Sequence, residues 1–316
     1  MTDRQTEIAH RIVALRQIFA HHDAYQQAEE QFQLLLDRRR AELAAGVVME
    51  ARGIAIIGAS GSGKTTAVAR LLSHTPDLVV DNPHGPRKDV VSFQVPAPAT
   101  LKFVGQTALE ALGYPLKRER TEMIIWGLVR QHLRARETLF LHLDEAQDLL
   151  SHQTPKMMQS VVRTLKSLMQ TRDWPVGIIL SGMPDLKELL NHDPQLARRF
   201  YPIEFPRLHA DIDGEQVVLT TISYADRARL TVNSQLDHRF AARLIHAADG
   251  EFGLVIELII GSIEEALLSN DEVLDCEHFA GAFRRRSGCV NALNPFIAED
   301  FERIDARMLL PRAALL

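Results

Sequence analysis

Cysteine is nearly missing from this 316-residue chain, which carries only Cys276 and Cys289. Neither has a histidine at metal-ligand spacing, so the pattern gives neither a disulfide framework nor a structural zinc site. No uninterrupted apolar run approaches the roughly eighteen residues a membrane helix needs. The opening Met1-Thr-Asp-Arg-Gln5 has none of the features of a secretory signal. A cytoplasmic protein with no membrane partner is expected. The histidines form no i, i+4 pair with a neighbouring Glu, which excludes the metalloprotease helix. Positive charge is not in excess either: 36 Lys and Arg against 41 Asp and Glu leave a net charge of −5. That balance argues against coating nucleic acid by overall charge, yet leaves room for a local basic patch. Internal repeats and low-complexity tracts are absent as well. What remains, 46% hydrophobic and 24% charged, is the composition of a globular protein. The chain is long enough for one large α/β domain and a smaller one.

The most informative stretch is the loop of Gly58, Ala59, Ser60, Gly61, Ser62, Gly63, Lys64, Thr65 and Thr66. It follows the apolar run 53–57 and leads into the helical pattern 67–72, so it reads as strand, loop and helix. The spacing G-x-x-x-x-G-K-[ST] is that of a phosphate-binding loop. Its glycines permit backbone torsions that turn consecutive N–H groups inward as an anion nest. Lys64 then sets a point charge beside the β and γ phosphates of ATP. The Thr65 hydroxyl suits one position around an octahedral Mg²⁺ ion that keeps waters and phosphate oxygens elsewhere. The start of the following helix adds its positive dipole end.

A second stretch, Thr138-Leu-Phe-Leu-His-Leu143, delivers Asp144 and Glu145 to the C-terminal end of an apolar strand. Open α/β sheets place their ligands at that edge. Asp144 is expected to hold Mg²⁺ opposite Thr65, and Glu145 to orient the attacking water. The buried strand 176–180 ends in Ser181, either a sensor of phosphate state or a turn residue. Arg198 and Arg199 stand just before the last strand 201–205. One of them either completes a neighbouring subunit's site or pairs with surface acids.

The expected organisation is an N-terminal helical extension over 1–50, a nucleotide-binding α/β domain over 51–208, a helical lid over 209–288 and a C-terminal tail over 289–316. Helical periodicity breaks at His21-His22-Asp23, with Asp23 as the expected N-cap and both helices packed on the nucleotide domain. The segment Asn82-Pro-His-Gly-Pro-Arg87 reads as a breaker. From Asp211 onward no strand pattern is visible, and Asp213 and Asp275 are suited to cap helices. The methionines of 155–170 read as core. The apolar tail is of a kind that is disordered or docks on a partner. Between Pro98 and Arg136 seven Lys or Arg face three Glu, among them Lys102, Lys117, Arg118 and Arg120. Such a run is ordinarily a solvated face. It is also the best candidate for contact with DNA.

The order of phosphate loop, acidic strand end, Ser-tipped strand, arginine pair and helical lid resembles the AAA+ ATPases. More narrowly, the loop 58–66, Leu141-His-Leu-Asp-Glu-Ala-Gln-Asp148, Ser181-Gly-Met-Pro-Asp185, Leu196-Ala-Arg-Arg-Phe200 and the late Asn294-Pro-Phe296 resemble the TniB/TnsC transposition regulators. The likeness covers roughly residues 25–297. It implies a P-loop NTPase of AAA+ type, a central mostly parallel sheet between helices followed by a small all-helical lid. It also implies a homo-oligomer, ring or helical filament, that assembles with ATP on double-stranded DNA, marks a target and recruits or stimulates a transposase, with a target-selection protein as a further partner. Hydrolysis resets the assembly. By the same resemblance Lys64 and Thr65 are the Walker A pair, Asp144 and Glu145 Walker B, Ser181 sensor 1, and Arg198 or Arg199 the finger, with Arg198 slightly favoured. Many AAA+ lids carry an arginine early in the third lid helix, whereas this chain has Gly250-Glu-Phe-Gly-Leu-Val-Ile-Glu257. Slow hydrolysis is therefore expected. The competing readings are an ExeA-like or replication-initiator-like AAA+ protein, and a nucleotide-gated scaffold with negligible turnover.

Overall fold

The computed structural model describes residues 3–80, 85, 87–150 and 154–307. Most of the expected breaker at 82–87 and the end of the tail, 308–316, lie outside the described residues. The chain forms two compact units, one of Met1–His21, Ser60–Gly63 and Pro206–Leu316, the other of His22–Ala59 and Lys64–Phe205.

The second unit is built on a five-stranded sheet in the order β2-β3-β4-β1-β5, all of it parallel. Its strands are β1 (Gly53–Ile57), β2 (Val90–Gln94), β3 (Phe140–Asp144), β4 (Gly177–Gly182) and β5 (Phe200–Glu204). Central strands of a parallel sheet are covered on both faces and read as continuous apolar runs. Accordingly every residue of β1 and β4 is buried. The edge strand β2 alternates instead, exposing Ser92 and Gln94. One face carries Ala55, Ile57, Val91, Leu141, Leu143, Ile178 and Leu180 into a single core. That core is completed from α4 (Leu101–Ala111), α5 (Glu122–Ala135) and α6 (Pro155–Met169).

The opposite face is covered by α2 (Asp23–Ala44) and α3 (Lys64–His74). There Phe32 of α2 meets Phe140 with ring centroids 5.1 Å apart. Glycine at position 53 is a steric requirement, since a Cβ there would stand 2.1 Å from the Ile178 carbonyl oxygen. The N-cap of α2 is His22, whose Nδ1 accepts the Ala24 N–H at 3.1 Å. This corrects the expectation for Asp23, which occupies the first helical position. Among the methionines expected in the core, Met169 is fully buried but Met157 is 42% exposed.

In the other unit α1 (Asp3–Arg16) joins α9 (Ala210–Arg227), α10 (His238–Ala247), α11 (Phe252–Ser269) and α12 (Cys276–Ser287). Ile8, Ile12 and Leu15 share a core with Phe240, Leu244, Ile259, Ile263 and Phe279. The first N-terminal helix therefore packs here and not on the nucleotide domain. Two very short parallel strands, Thr231–Val232 (β6) and Val273–Leu274 (β7), correct the expectation of a wholly helical region. Asp275 caps α12 in a reciprocal box with His278. Asp213 does not cap α9; lying inside it, its carboxylate accepts the His209 N–H at 2.7 Å. Through residue 307 the tail packs on its own unit. Phe296 lies among Phe240, Phe279 and Phe283, and Asn294 donates to the Ala280 carbonyl at 2.8 Å.

Replacing Phe32 by Ala removes a fully buried ring and is expected to cost about 3–5 kcal/mol. Leu34→Ala, at a residue that is 41% exposed, is expected to stay within about 0.5 kcal/mol. Urea unfolding midpoints of the two variants check the difference.

Candidate functional site

The sheet's fully covered strands end at one edge, and the polar residues of the site are gathered there. β1 runs into the loop 58–63, where Gly61 and Gly63 have φ of 84° and 95°. These left-handed torsions are open to glycine at little cost. The loop tip also keeps close company within its own unit: Leu254 N–H donates to the Gly61 carbonyl at 3.2 Å. A Cβ on Gly253 would approach that oxygen to 2.5 Å. Ser62 is buried, and its hydroxyl oxygen has no hydrogen-bond partner. Lys64 opens α3, is 7% exposed and donates to the Ala59 carbonyl at 2.8 Å.

Thr65 Oγ1 lies 3.3 Å from Asp144 Oδ2. The same carboxylate accepts the Ser181 hydroxyl at 2.6 Å and the Glu145 N–H at 3.0 Å, both on Oδ1. Parallel register explains the meeting, because β3 and β4 are neighbours and β1, which feeds the loop, lies on the far side of β4. Glu145 turns out of the strand at φ 53°, a conformation rare for a residue with a side chain and frequently found at functional sites.

Two residues of this network were passed over in the sequence. Gln147 donates to Glu145 Oε2 at 2.6 Å, while its own Oε1 accepts the Met183 N–H at 2.9 Å. His142, 3% exposed in the middle of β3, bonds through Nε2 to Ser181 Oγ at 2.8 Å and through Nδ1 to Ser92 Oγ at 2.7 Å. Burial lowers its pKa to about 4 against the opposing pull of the Asp144 charge, which keeps the ring neutral. The readable signal was one histidine interrupting the apolar run 139–143.

The arginine pair is divided. Arg199 is buried, donates to the Gln195 carbonyl and pairs with Glu50 at 2.8 Å. Arg198 is exposed at the end of α8 (Pro194–Ala197); its backbone N–H donates to the Pro194 carbonyl at 3.2 Å, and its guanidinium makes no hydrogen bond among the described residues. Of the basic candidates, Lys102 pairs with Glu119. Lys117, Arg118 and Arg120 are exposed on the connection between α4 and α5. They line a recess of about 310 Å³ together with Tyr114 and His132, whose rings stack at 3.5 Å.

A buried lysine at the start of α3 and a threonine facing the carboxylate that ends β3 fit a phosphate chain and its divalent cation; the loop before them has the left-handed glycine torsions of an anion nest. No cluster of three His, Cys, Asp or Glu side chains that could hold a metal occurs among the described residues. A hard cation here therefore needs phosphate oxygens and water to fill its shell. No helix among the described residues is long and apolar enough to cross a membrane.

Comparison with known proteins supports this reading of the fold. The family described as Bacterial TniB protein matches residues 12–210, more than half of the chain. No curated protein matches it. Among solved structures, Cdc6p from Pyrobaculum aerophilum is similar at TM-score 0.58 and 17% identity, over 81% of this chain and 65% of that one. The ORC2 protein of Aeropyrum pernix gives 0.58 and 16%, over 82% and 67%. The Aeropyrum pernix ORC1 protein, solved in complex with DNA, gives 0.57 and 15%, over 85% and 66%. The chain thus spans about two thirds of the length of these proteins. At such identities the likeness is one of fold, and that fold is the AAA+ ATPase fold.

The two arginines are expected to behave differently on substitution. Arg199→Ala should destabilise by about 0.5–3 kcal/mol, through the lost packing and hydrogen bonds of a buried side chain, whereas Arg198→Ala should stay within about 0.5 kcal/mol. Hydrogen bonds from Gln170 and then Arg199 hold the Glu50 carboxyl below its usual pKa. A depressed folded-state pKa contributes stability that is full above the unfolded value and is lost as pH falls through the folded one. Urea titrations should therefore show the gap between parent and Arg199→Ala narrowing below the ordinary carboxylate range.

Proposed function

The chain belongs to the TniB family of bacterial proteins, and from that premise we propose that it is an ATP-dependent regulator of DNA transposition. In this reading it oligomerises on double-stranded DNA, marks the target site and recruits or activates a transposase, and hydrolysis drives disassembly. The observation that carries the nucleotide half of the proposal is the meeting of Thr65, Asp144 and Ser181 around one carboxylate beside the loop 58–66.

Lys64 binds the β and γ phosphates, and its bond to the Ala59 carbonyl is the contact it exchanges for them. Thr65 and Asp144 would hold Mg²⁺, which supplies neutralisation of the phosphate charge. Glu145 orients the attacking water and takes its proton. Ser181 fixes Asp144 from the buried side. Arg198, exposed and with no side-chain hydrogen bond among the described residues, is the finger offered to a neighbouring copy, while Arg199 is committed to Glu50. Lys117, Arg118 and Arg120 supply phosphate contacts to DNA, few in each subunit and summed over an assembly.

A second reading is favoured by one specific contact. Gln147 holds Glu145 Oε2 at 2.6 Å, an arrangement that suits a nucleotide-gated scaffold whose turnover is negligible until Glu145 is released.

Glu145→Gln is expected to keep ATP binding, slow phosphate release by about 10²-fold and trap the protein on linear duplex DNA in electron micrographs. Lys64→Ala is expected to lose both binding and assembly. A Glu145→Gln protein that hydrolyses at the parental rate removes Glu145 from the mechanism. For the DNA surface, the double change Lys117→Ala and Arg118→Ala should weaken binding without changing ATP affinity. It should also lower the slope of log K against log salt by up to about 1.8 for each bound subunit, measured by fluorescence anisotropy. An unchanged slope reassigns the segment to a solvated face.

A further inference from the structure

One buried group lies outside the roles assigned so far. His142 sits in the central strand β3, its ring enclosed at 3% exposure, where the register sets it beside Ser92 on β2 and Ile179 on β4. Ser92, His142, Ser181 and Asp144 all lie on the sheet face opposite the large apolar core. They form one chain of contacts: Ser92 Oγ to His142 Nδ1 at 2.7 Å, His142 Nε2 to Ser181 Oγ at 2.8 Å, and Ser181 Oγ to Asp144 Oδ1 at 2.6 Å.

Counting protons gives the direction of the two links nearest Asp144. The Asp144 carboxylate only accepts, so Ser181 must spend its single hydroxyl proton on it. The Ser181 oxygen is then an acceptor toward the ring, and His142 must carry a proton on Nε2. Nδ1 faces the Ser92 hydroxyl, which can donate to a bare nitrogen or accept from a protonated one. Ser92 is exposed on the edge strand, so water can replace it, while the link between His142 and Ser181 is sealed from solvent. An apolar side chain at position 142 would pack in the strand equally well but would leave the Ser181 oxygen without its donor. A serine hydroxyl turns its proton to suit its partners, and a second bond to its lone pair narrows the orientations left to it.

We infer that His142 is a positioning residue for nucleotide hydrolysis: its Nε2–H locks the Ser181 hydroxyl onto Asp144, and through Asp144 fixes the carboxylate edge that faces Thr65. The inference rests on the ATPase reading for its kinetic consequence, but the proton assignment stands independently of nucleotide.

Two measurements test it. The first uses the full-length, nucleotide-free protein labelled with ¹⁵N-histidine, with the His142 signals assigned by their loss in His142→Gln. Long-range ¹H–¹⁵N spectra should show Nε2 protonated, with the Nε2–H signal displaced in Ser181→Ala. A bare Nε2, or a Nε2–H indifferent to Ser181→Ala, overturns the proposal whether or not the protein hydrolyses ATP. The second is a kinetic cycle. His142→Leu and Ser181→Ala should each lower the hydrolysis rate by about 10- to 100-fold, with ATP affinity within about threefold, and the double variant should be no slower than the slower single one. His142→Gln, whose amide nitrogen reaches the same place as Nε2, should recover the rate to within about threefold. Multiplicative losses in the double variant, or equal defects in Leu and Gln, mean that His142 only fills space. A parental protein without hydrolysis but with the expected tautomer removes the ATPase reading and leaves the positioning role to the spectra.

Discussion

The Asp144 carboxylate is the group on which the polar side chains at the end of β3 and β4 depend. One oxygen takes two donors, the Ser181 hydroxyl and the Glu145 N–H, and the other faces the Thr65 hydroxyl. Rotation of this carboxylate away from Ser181 would leave a buried donor unmade at about 1–3 kcal/mol. Its three partners come from β4, from the turn after β3 and from the helix after β1, so the strand order β3-β4-β1 is the order this carboxylate requires. The apolar residues on the far face keep those strands in register. Since a slip of one position would exchange the faces of a strand, the packing of Leu141, Leu143, Ile178 and Leu180 is what delivers His142, Asp144 and Ser181 to the same side.

The central strands and the loop could be read from sequence because each obeys a local rule. An apolar run between turn residues is a covered parallel strand, and G-x-x-x-x-G-K-[ST] needs its own glycines for the torsions seen at Gly61 and Gly63. Asp144 and Glu145 were legible for the same reason, as charges at the end of such a run. Gln147 and His142 were not, because what gives them meaning is a partner 36 or 39 residues away across the sheet. Nor does the adjacent pair Arg198-Arg199 separate by local pattern: one is buried because Glu50, 149 positions earlier, lies beside it. The N-cap of α2 went to a histidine, since an imidazole nitrogen can accept an N–H as an Asp oxygen does. The two-residue strands β6 and β7 are too short to leave any periodicity.

At one position of the arginine-free stretch 250–257 the structure gives a local cause. Gly253 stands where a Cβ would come within 2.5 Å of the Gly61 carbonyl, and the next residue donates its N–H to that same oxygen. The first turn of α11 is therefore specialised for backbone contact with the loop tip in its unit. The position that approaches most closely admits no side chain at all.

Glu145 and Gln147 bear on how such a protein would keep time. Glu145 is held in the left-handed region, a backbone state that costs on the order of 1 kcal/mol for a residue with a side chain. It remains there because the Asp144 carboxylate takes its N–H and Gln147 takes its side chain. A hydrogen bond to a charged group is worth about 1.5–3 kcal/mol net, so the Gln147 contact alone biases the carboxylate toward its held position by about 10- to 100-fold. Gln147 in turn is fixed by the Met183 N–H, two residues beyond Ser181 on the strand that reads the carboxylate. A displacement of that strand end by a bound phosphate would thus reach Glu145 through a single side chain.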